Sequence, residues 1–210
     1  MADVIRMRND LYGASVVKNL QRRGFEAYYA PTRQEALAKA LELIPEKDVV
    51  SWGGSVTLAQ TGILEAVKKR NPVLDRDTAK TPEEKTELMR RALLCDTYLM
   101  STNAMSEDGQ LVNIDGNGNR CAALIWGPKQ VLVVTGINKV AKDLDAAVKR
   151  AQQVAATINV QRFNLQTPCS KTGMCADCLS PESICNQFVI TRRNNRGHVK
   201  VILVGEDLGF

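Results

Sequence analysis

Apolar positions along this chain switch repeatedly between two spacings. Short runs such as Asp48–Trp52 and Gln130–Thr135 carry contiguous apolar residues, Val49-Val50 and Val131–Val134, the pattern of buried strands. Longer stretches place apolar residues three and four apart, as Ala36, Leu37, Ala40, Leu41 and Ile44 do, the pattern of a helix face. The expected elements run as follows: a helix over 3–22 closed by Gly24, a strand over 25–30, a helix from Thr32 to about Ile44, and a strand over 48–52. A helix over 55–70 and a strand over 72–75 come next. Thr81-Pro82-Glu83-Glu84 then starts a helix reaching about Cys95: threonine caps, proline fits the first turn, and the acids face the positive end of the dipole. Strands are expected over 97–102, 110–115, 130–135, 187–192 and 199–204, with helices over 119–126 and 142–160. Strands alternating with helices predict an α/β fold, a parallel-rich sheet with helices on both faces and Val131–Thr135 near its centre. The whole chain, 1–210, reads as one domain. Residues 167–186 interrupt the alternation and form an insertion.

Composition narrows the function classes. At 210 residues and 44% hydrophobic, the chain has material for a full core without disulfides. Lacking 18 consecutive apolar residues, it is not expected to span a membrane. The stretch Met1–Arg8 has no apolar signal-peptide core, so a cytoplasmic, reducing location is expected. The net charge of +5 is spread out, and aromatics make up only 5%, which argues against a nucleic-acid stripe. His198 is the sole histidine, which excludes a multi-His metal site and leaves a Ser-His-Asp triad only that residue.

In a reducing compartment, clustered cysteines read as metal ligands. Cys169, Cys175, Cys178 and Cys185 follow the spacing C-x5-C-x2-C-x6-C, with Pro168, Gly173 and Pro181 as turn residues. Structural zinc usually takes two CxxC knuckles. One CxxC flanked by two lone cysteines better suits the corners of a cubane. A [4Fe–4S] cluster is therefore expected, with zinc as the alternative. Cys95 and Cys121 stand apart and read as core residues.

Polar loops after the strands suggest a second site. Gly53-Gly54-Ser55 leads from a strand into a helix and can present free amides to a phosphate or carboxylate. Asn103, Asp115, Asn119, Arg120, Asn138 and Lys139 also follow predicted strands, the edge where open α/β sheets bind ligands. One pocket is expected to gather them around a small anionic metabolite. Arg120 would fork its carboxylate or phosphate, Lys139 would supply a charge or a base, and Asp115 would be the other candidate base.

Several of these residues fall in motifs that resemble the LUD (lactate utilisation) domain family. They are Trp52-Gly53-Gly54-Ser55, Thr102-Asn103-Ala104, Asp108-Gly109, Asp115-Gly116-x-Gly118-Asn119-Arg120, Gly127-Pro128 and Gly136-x-Asn138-Lys139, and the likeness spans about residues 10–205. The resemblance implies the fold shared by ribose-phosphate isomerases, glucosamine-phosphate deaminases and CoA transferases. There a glycine loop binds phosphate or an acyl-CoA at strand C-termini. The lactate-utilisation subunit of the family lacks the four-cysteine insertion, and its clusters reside in a partner subunit; this chain resembles a cysteine-bearing branch. The expectation is an iron–sulfur protein of redox metabolism related to lactate utilisation, an oxidoreductase or a subunit of one, with a redox partner protein and room for a homo-oligomer. The alternatives are a non-redox isomerase or acyl-transfer enzyme with structural zinc, and a zinc-ribbon nucleic-acid binder.

Overall fold

The structure, a computed structural model, describes residues 2–210. Helix α1 (Ala2–Arg22) closes at Gly24, whose φ of +82° lets the Phe25 N–H return to the Leu20 carbonyl at 3.1 Å. Strand β1 (Glu26–Ala30) leads to α2 (Arg33–Leu43), where the Thr32 side chain accepts the Glu35 N–H as the sequence predicts. There follow β2 (Val50–Trp52), α3 (Val56–Gln60), α4 (Ile63–Arg70), β3 (Val73–Leu74) and α5 (Pro82–Ala92), the last capped by Thr81. Next come β4 (Thr97–Met100), β5 (Ala104–Ser106), β6 (Leu111–Asp115), α6 (Asn119–Ile125), β7 (Gln130–Gly136) and β8 (Val140–Ala141). Helices α7 (Leu144–Arg150) and α8 (Thr157–Val160) are joined by a π-helical stretch, Ala151–Ala156. The chain ends with α9 (Pro168–Thr172), β9 (Gln187–Thr191) and β10 (Val199–Val204).

Six strands form a parallel sheet in the order β1-β10-β7-β4-β2-β3, with β7 in the interior as expected. Successive side chains of a strand face opposite ways, so each interior strand feeds two cores. Val131, Val133, Val201 and Leu203 pack with Leu20 of α1 and Leu124 of α6. Their neighbours Leu132, Val134, Ile202 and Val204 pack with Ala36 of α2, Leu58 of α3 and Ile63 of α4. Helices therefore cover both faces. Among the described residues no helix is long and apolar enough to cross a membrane.

The sequence predicts one sheet, and the structure has two. β8, β5, β6 and β9 form a second, four-stranded sheet in which β6 runs antiparallel to both β5 and β9. A tight turn over 106–110, with Gly109 at φ +89°, folds β6 back on β5. This sheet packs on α7 and the π-helical stretch through Val112, Ile114, Ala147 and Ala151. The helix expected over 55–70 is two, because Gly62 adopts φ +74° between α3 and α4.

Candidate ligand pocket and metal segment

The C-terminal ends of β2, β4, β6 and β7 converge on a cavity of about 460 Å³. Gly53, Gly54, Ser55, Asn103, Asp115, Asn119, Arg120 and Lys139 all line it. Asn138 does not. Its Oδ1 accepts the Leu208 N–H at 3.1 Å and its Nδ2 donates to the Gly209 carbonyl at 3.4 Å, so it ties down the C-terminal tail. That tail, Gly209 and Phe210, borders the cavity in its place.

Arg120 does not offer the open fork that the sequence suggests. Its Nη1 donates to the Ser101 carbonyl (3.1 Å) and Asn113 Oδ1 (2.6 Å), and its Nη2 to Asn103 Oδ1 (2.9 Å) and the Ile114 carbonyl (2.6 Å). The planar head is a clasp between the β4 and β6 loops. Asp115 is likewise occupied. Its Oδ2 accepts the N–H groups of Arg120 and Cys121 at 3.0 Å each, filling the first turn of α6, where Gly118 has no side chain to cap. Ser55 Oγ caps α3 by accepting the Leu58 N–H, and Asn103 Oδ1 also accepts the Ile114 N–H. The Gly53 N–H is bonded to the Leu99 carbonyl. These residues build the wall.

Lys139 is different. It is 3% exposed, and its Nζ contacts Thr57 Oγ1 (3.0 Å), Ser101 Oγ (3.1 Å) and the Thr102 carbonyl (3.4 Å), all neutral. Burial, followed by the positive charges of Arg150 and Arg120, pushes its pKa down to about 7. Sequence reasoning missed Arg76, which lines the cavity at the glycine loop: a Cβ on Gly54 would lie 2.8 Å from Arg76 Nη2. The signal was available, since Arg76 follows strand β3. Lys85 and Arg162 also line the cavity, so five basic side chains face two acids, Asp77 and Asp115. Asp77 lies 3.8 Å from both Arg76 and Lys85. The surplus is cationic.

The cysteine segment abuts this cavity. Arg162, Phe163 and Leu165, which precede Cys169, line it, as do Ser183, Ile184 and Asn186 around Cys185. Asn186 stitches the segment to the β6–α6 loop through its N–H to the Asp115 carbonyl (3.1 Å) and its Nδ2 to the Gly116 carbonyl (3.0 Å). All four cysteines are free and half-buried. Burial, then the charge of Cys169, Cys175 and Cys178, pushes the Cys185 thiol up to about 11, so those three thiols lie within electrostatic reach of it. Asp177, inside the CxxC, has a φ of +47°, the one positive value at a non-glycine among the described residues, and its N–H points to Cys175 Sγ at 3.4 Å. The Thr167 hydroxyl lies 3.4 Å from Cys169 Sγ. Four thiols in one half-buried segment, with the Asp177 N–H directed at Cys175 Sγ, are the chemistry of a thiolate donor set. Among the described residues, no three Cys, His, Asp or Glu side chains are already grouped tightly enough to hold a metal ion.

The remaining candidates are packing residues. Burial pushes the Cys95 thiol up to about 12 and the Cys121 thiol to about 11, which makes both poor nucleophiles. His198 bonds the Leu124 carbonyl through Nε2 at 3.0 Å and does not line the cavity.

Comparison with known proteins agrees with this architecture. The family model for the LUD domain matches residues 14–204. A DUF162 family protein from Deinococcus radiodurans superposes with a TM-score of 0.54 at 11% identity, over 93% of this chain and 98% of that one. Ribose 5-phosphate isomerase A from Neisseria gonorrhoeae aligns over 55% of this chain and 57% of its own, with a TM-score of 0.34 and 16% identity. No curated protein matches the chain.

Proposed function

Because the chain belongs to the LUD domain family, which is linked to lactate utilisation, we propose that it is an iron–sulfur protein of redox metabolism that binds a small carboxylate or phosphorylated metabolite. One observation carries the reading: residues on both sides of the cysteine segment form a wall of the cationic pocket. Cys169, Cys175, Cys178 and Cys185 would hold a [4Fe–4S] cluster, which supplies one-electron chemistry when bound. Arg76 and Lys139 draw the anion in, while the tail at Gly209–Phe210 and the Ile184 segment limit water around it. A cluster beside the pocket implies exchange of electrons with a redox partner protein.

Anaerobic purification followed by iron, sulfide and zinc analysis tests the metal assignment. The expected protein is brown, with about four irons and four sulfides per chain. Cys178→Ser should bleach it, and Cys95→Ala should leave the colour intact. Stoichiometric zinc without sulfide would replace this reading with the structural-zinc one.

A further inference from the structure

Lys139 is placed for more than anion binding. Lys139 lines the cavity, yet every hydrogen-bond partner of its Nζ is neutral: Thr57 Oγ1, Ser101 Oγ and the Thr102 carbonyl. The charged groups that act on it, Arg150 from α7 and Arg120 from α6, are both cations. α3 contributes the Thr57 hydroxyl, the loop after β4 the Ser101 hydroxyl, and the tail the backbone of Gly209, where a Cβ would stand 3.2 Å from Nζ. No carboxylate is among the groups that shift it.

Resting on the anion-pocket reading above, we propose that Lys139 is a nucleophilic amine that captures a small carbonyl compound bearing a carboxylate or phosphate, joining it as an imine. The Nζ lone pair forms a bond to the carbonyl carbon, and the C=O electron pair moves to oxygen, which takes up a proton. The nitrogen gives up its two protons in turn: the first makes the carbinolamine hydroxyl, and the second turns that hydroxyl into water, which leaves as C=N forms. One water is released per imine, and no oxidant or reductant is needed. The Thr57 and Ser101 hydroxyls lie 3.0 and 3.1 Å from Nζ, where each can take a proton from the nitrogen and pass its own to the ligand oxygen. Arg76 at the glycine loop would hold the anionic end of the ligand.

An exposed lysine is neutral in only about one molecule in 2,500 at pH 7, whereas an amine near 7 is half neutral. The full chain, purified anaerobically with its metal, is treated with glyoxylate and sodium cyanoborohydride, and carboxymethylation of each lysine is quantified by peptide mass spectrometry. Lys139 should label at least about 10-fold faster than exposed lysines at pH 7, allowing for its restricted access. Its rate should level off above about pH 7, while exposed lysines keep accelerating towards pH 10. Labelling of Lys139 no faster than that of exposed lysines would overturn the proposal. Calorimetry with glyoxylate and with inorganic phosphate separates the two readings. Binding without labelling removes the imine and keeps the anion pocket; neither binding nor labelling removes both.

Discussion

Lys139 enters the folded chain at a cost. Its unfolded pKa is the ordinary lysine value and its folded value is lower, so between about pH 7 and 10 the unfolded state holds more protons and stability rises with pH. The penalty is complete below about pH 7. Lys139→Met should therefore stabilise the empty protein by roughly 2–4 kcal/mol at pH 6 and by much less at pH 10, read from urea denaturation at the two pH values. Equal effects at both would show that Lys139 is not desolvated. Arg120 has the opposite role. Its four hydrogen bonds to the β4 and β6 loops make Arg120→Lys destabilising by about 2–4 kcal/mol, because a lysine cannot satisfy a planar fork. The same variant should change anion affinity only through this loosening, a difference visible as a lowered urea midpoint before any loss of binding at 10 °C. The sequence shows that Arg120 and Lys139 share an edge of the sheet. Which of them is left without a fixed partner depends on Asn103 and Asn113 lying close enough to occupy the arginine, a long-range fact that no local pattern carries.

At the scale of elements, caps and periods were legible wherever they are local. Thr32 and Thr81 cap as read, and Gly24 closes α1 with a positive φ. β5 and β8, of three and two residues, are too short to show a period, so the second sheet was hidden. The break at Gly62 was also missed, since apolar spacing continues across it. The π-helical stretch had no sequence mark, yet it follows directly on Arg150, which donates to the Asn138 and Asn103 carbonyls at 3.0 and 2.7 Å. Gly136 is the joint between β7 and the Lys139 turn. An added Cβ there would meet the Leu208 nitrogen at 2.6 Å and the Glu206 carbonyl oxygen at 2.8 Å. Gly136→Ala should cost about 1–3 kcal/mol and displace the tail that borders the cavity, raising hydrogen exchange at 206–209 more than in the sheet. Unchanged exchange in the tail would contradict its packing role.

Over the whole molecule, the parallel sheet follows from alternation that the sequence displays openly: strands apolar on both faces, separated by amphipathic helices. The cysteine segment was equally legible as a unit. Its position was not, because Asn186 and Ile184 meet the Asp115–Gly116 loop about 70 residues away in sequence. Apart from Thr167 and the contact of Cys185 with the smaller core, it lies outside the packed interior. On the proposed iron–sulfur reading, removing the metal frees residues 167–186 and one cavity wall while the six-stranded sheet persists, seen as fast hydrogen exchange confined to that segment. On the proposed reading, the pocket and the cysteine segment are one site. Its most direct test is the visible and electron paramagnetic resonance spectrum of the anaerobic, metal-loaded protein, recorded before and after saturation with glyoxylate or inorganic phosphate, whichever calorimetry shows to bind. A shift in the reduced-centre signal that follows the binding curve, and is weakened by Arg76→Ala, is the expected result. A spectrum that stays the same while the pocket fills would contradict it.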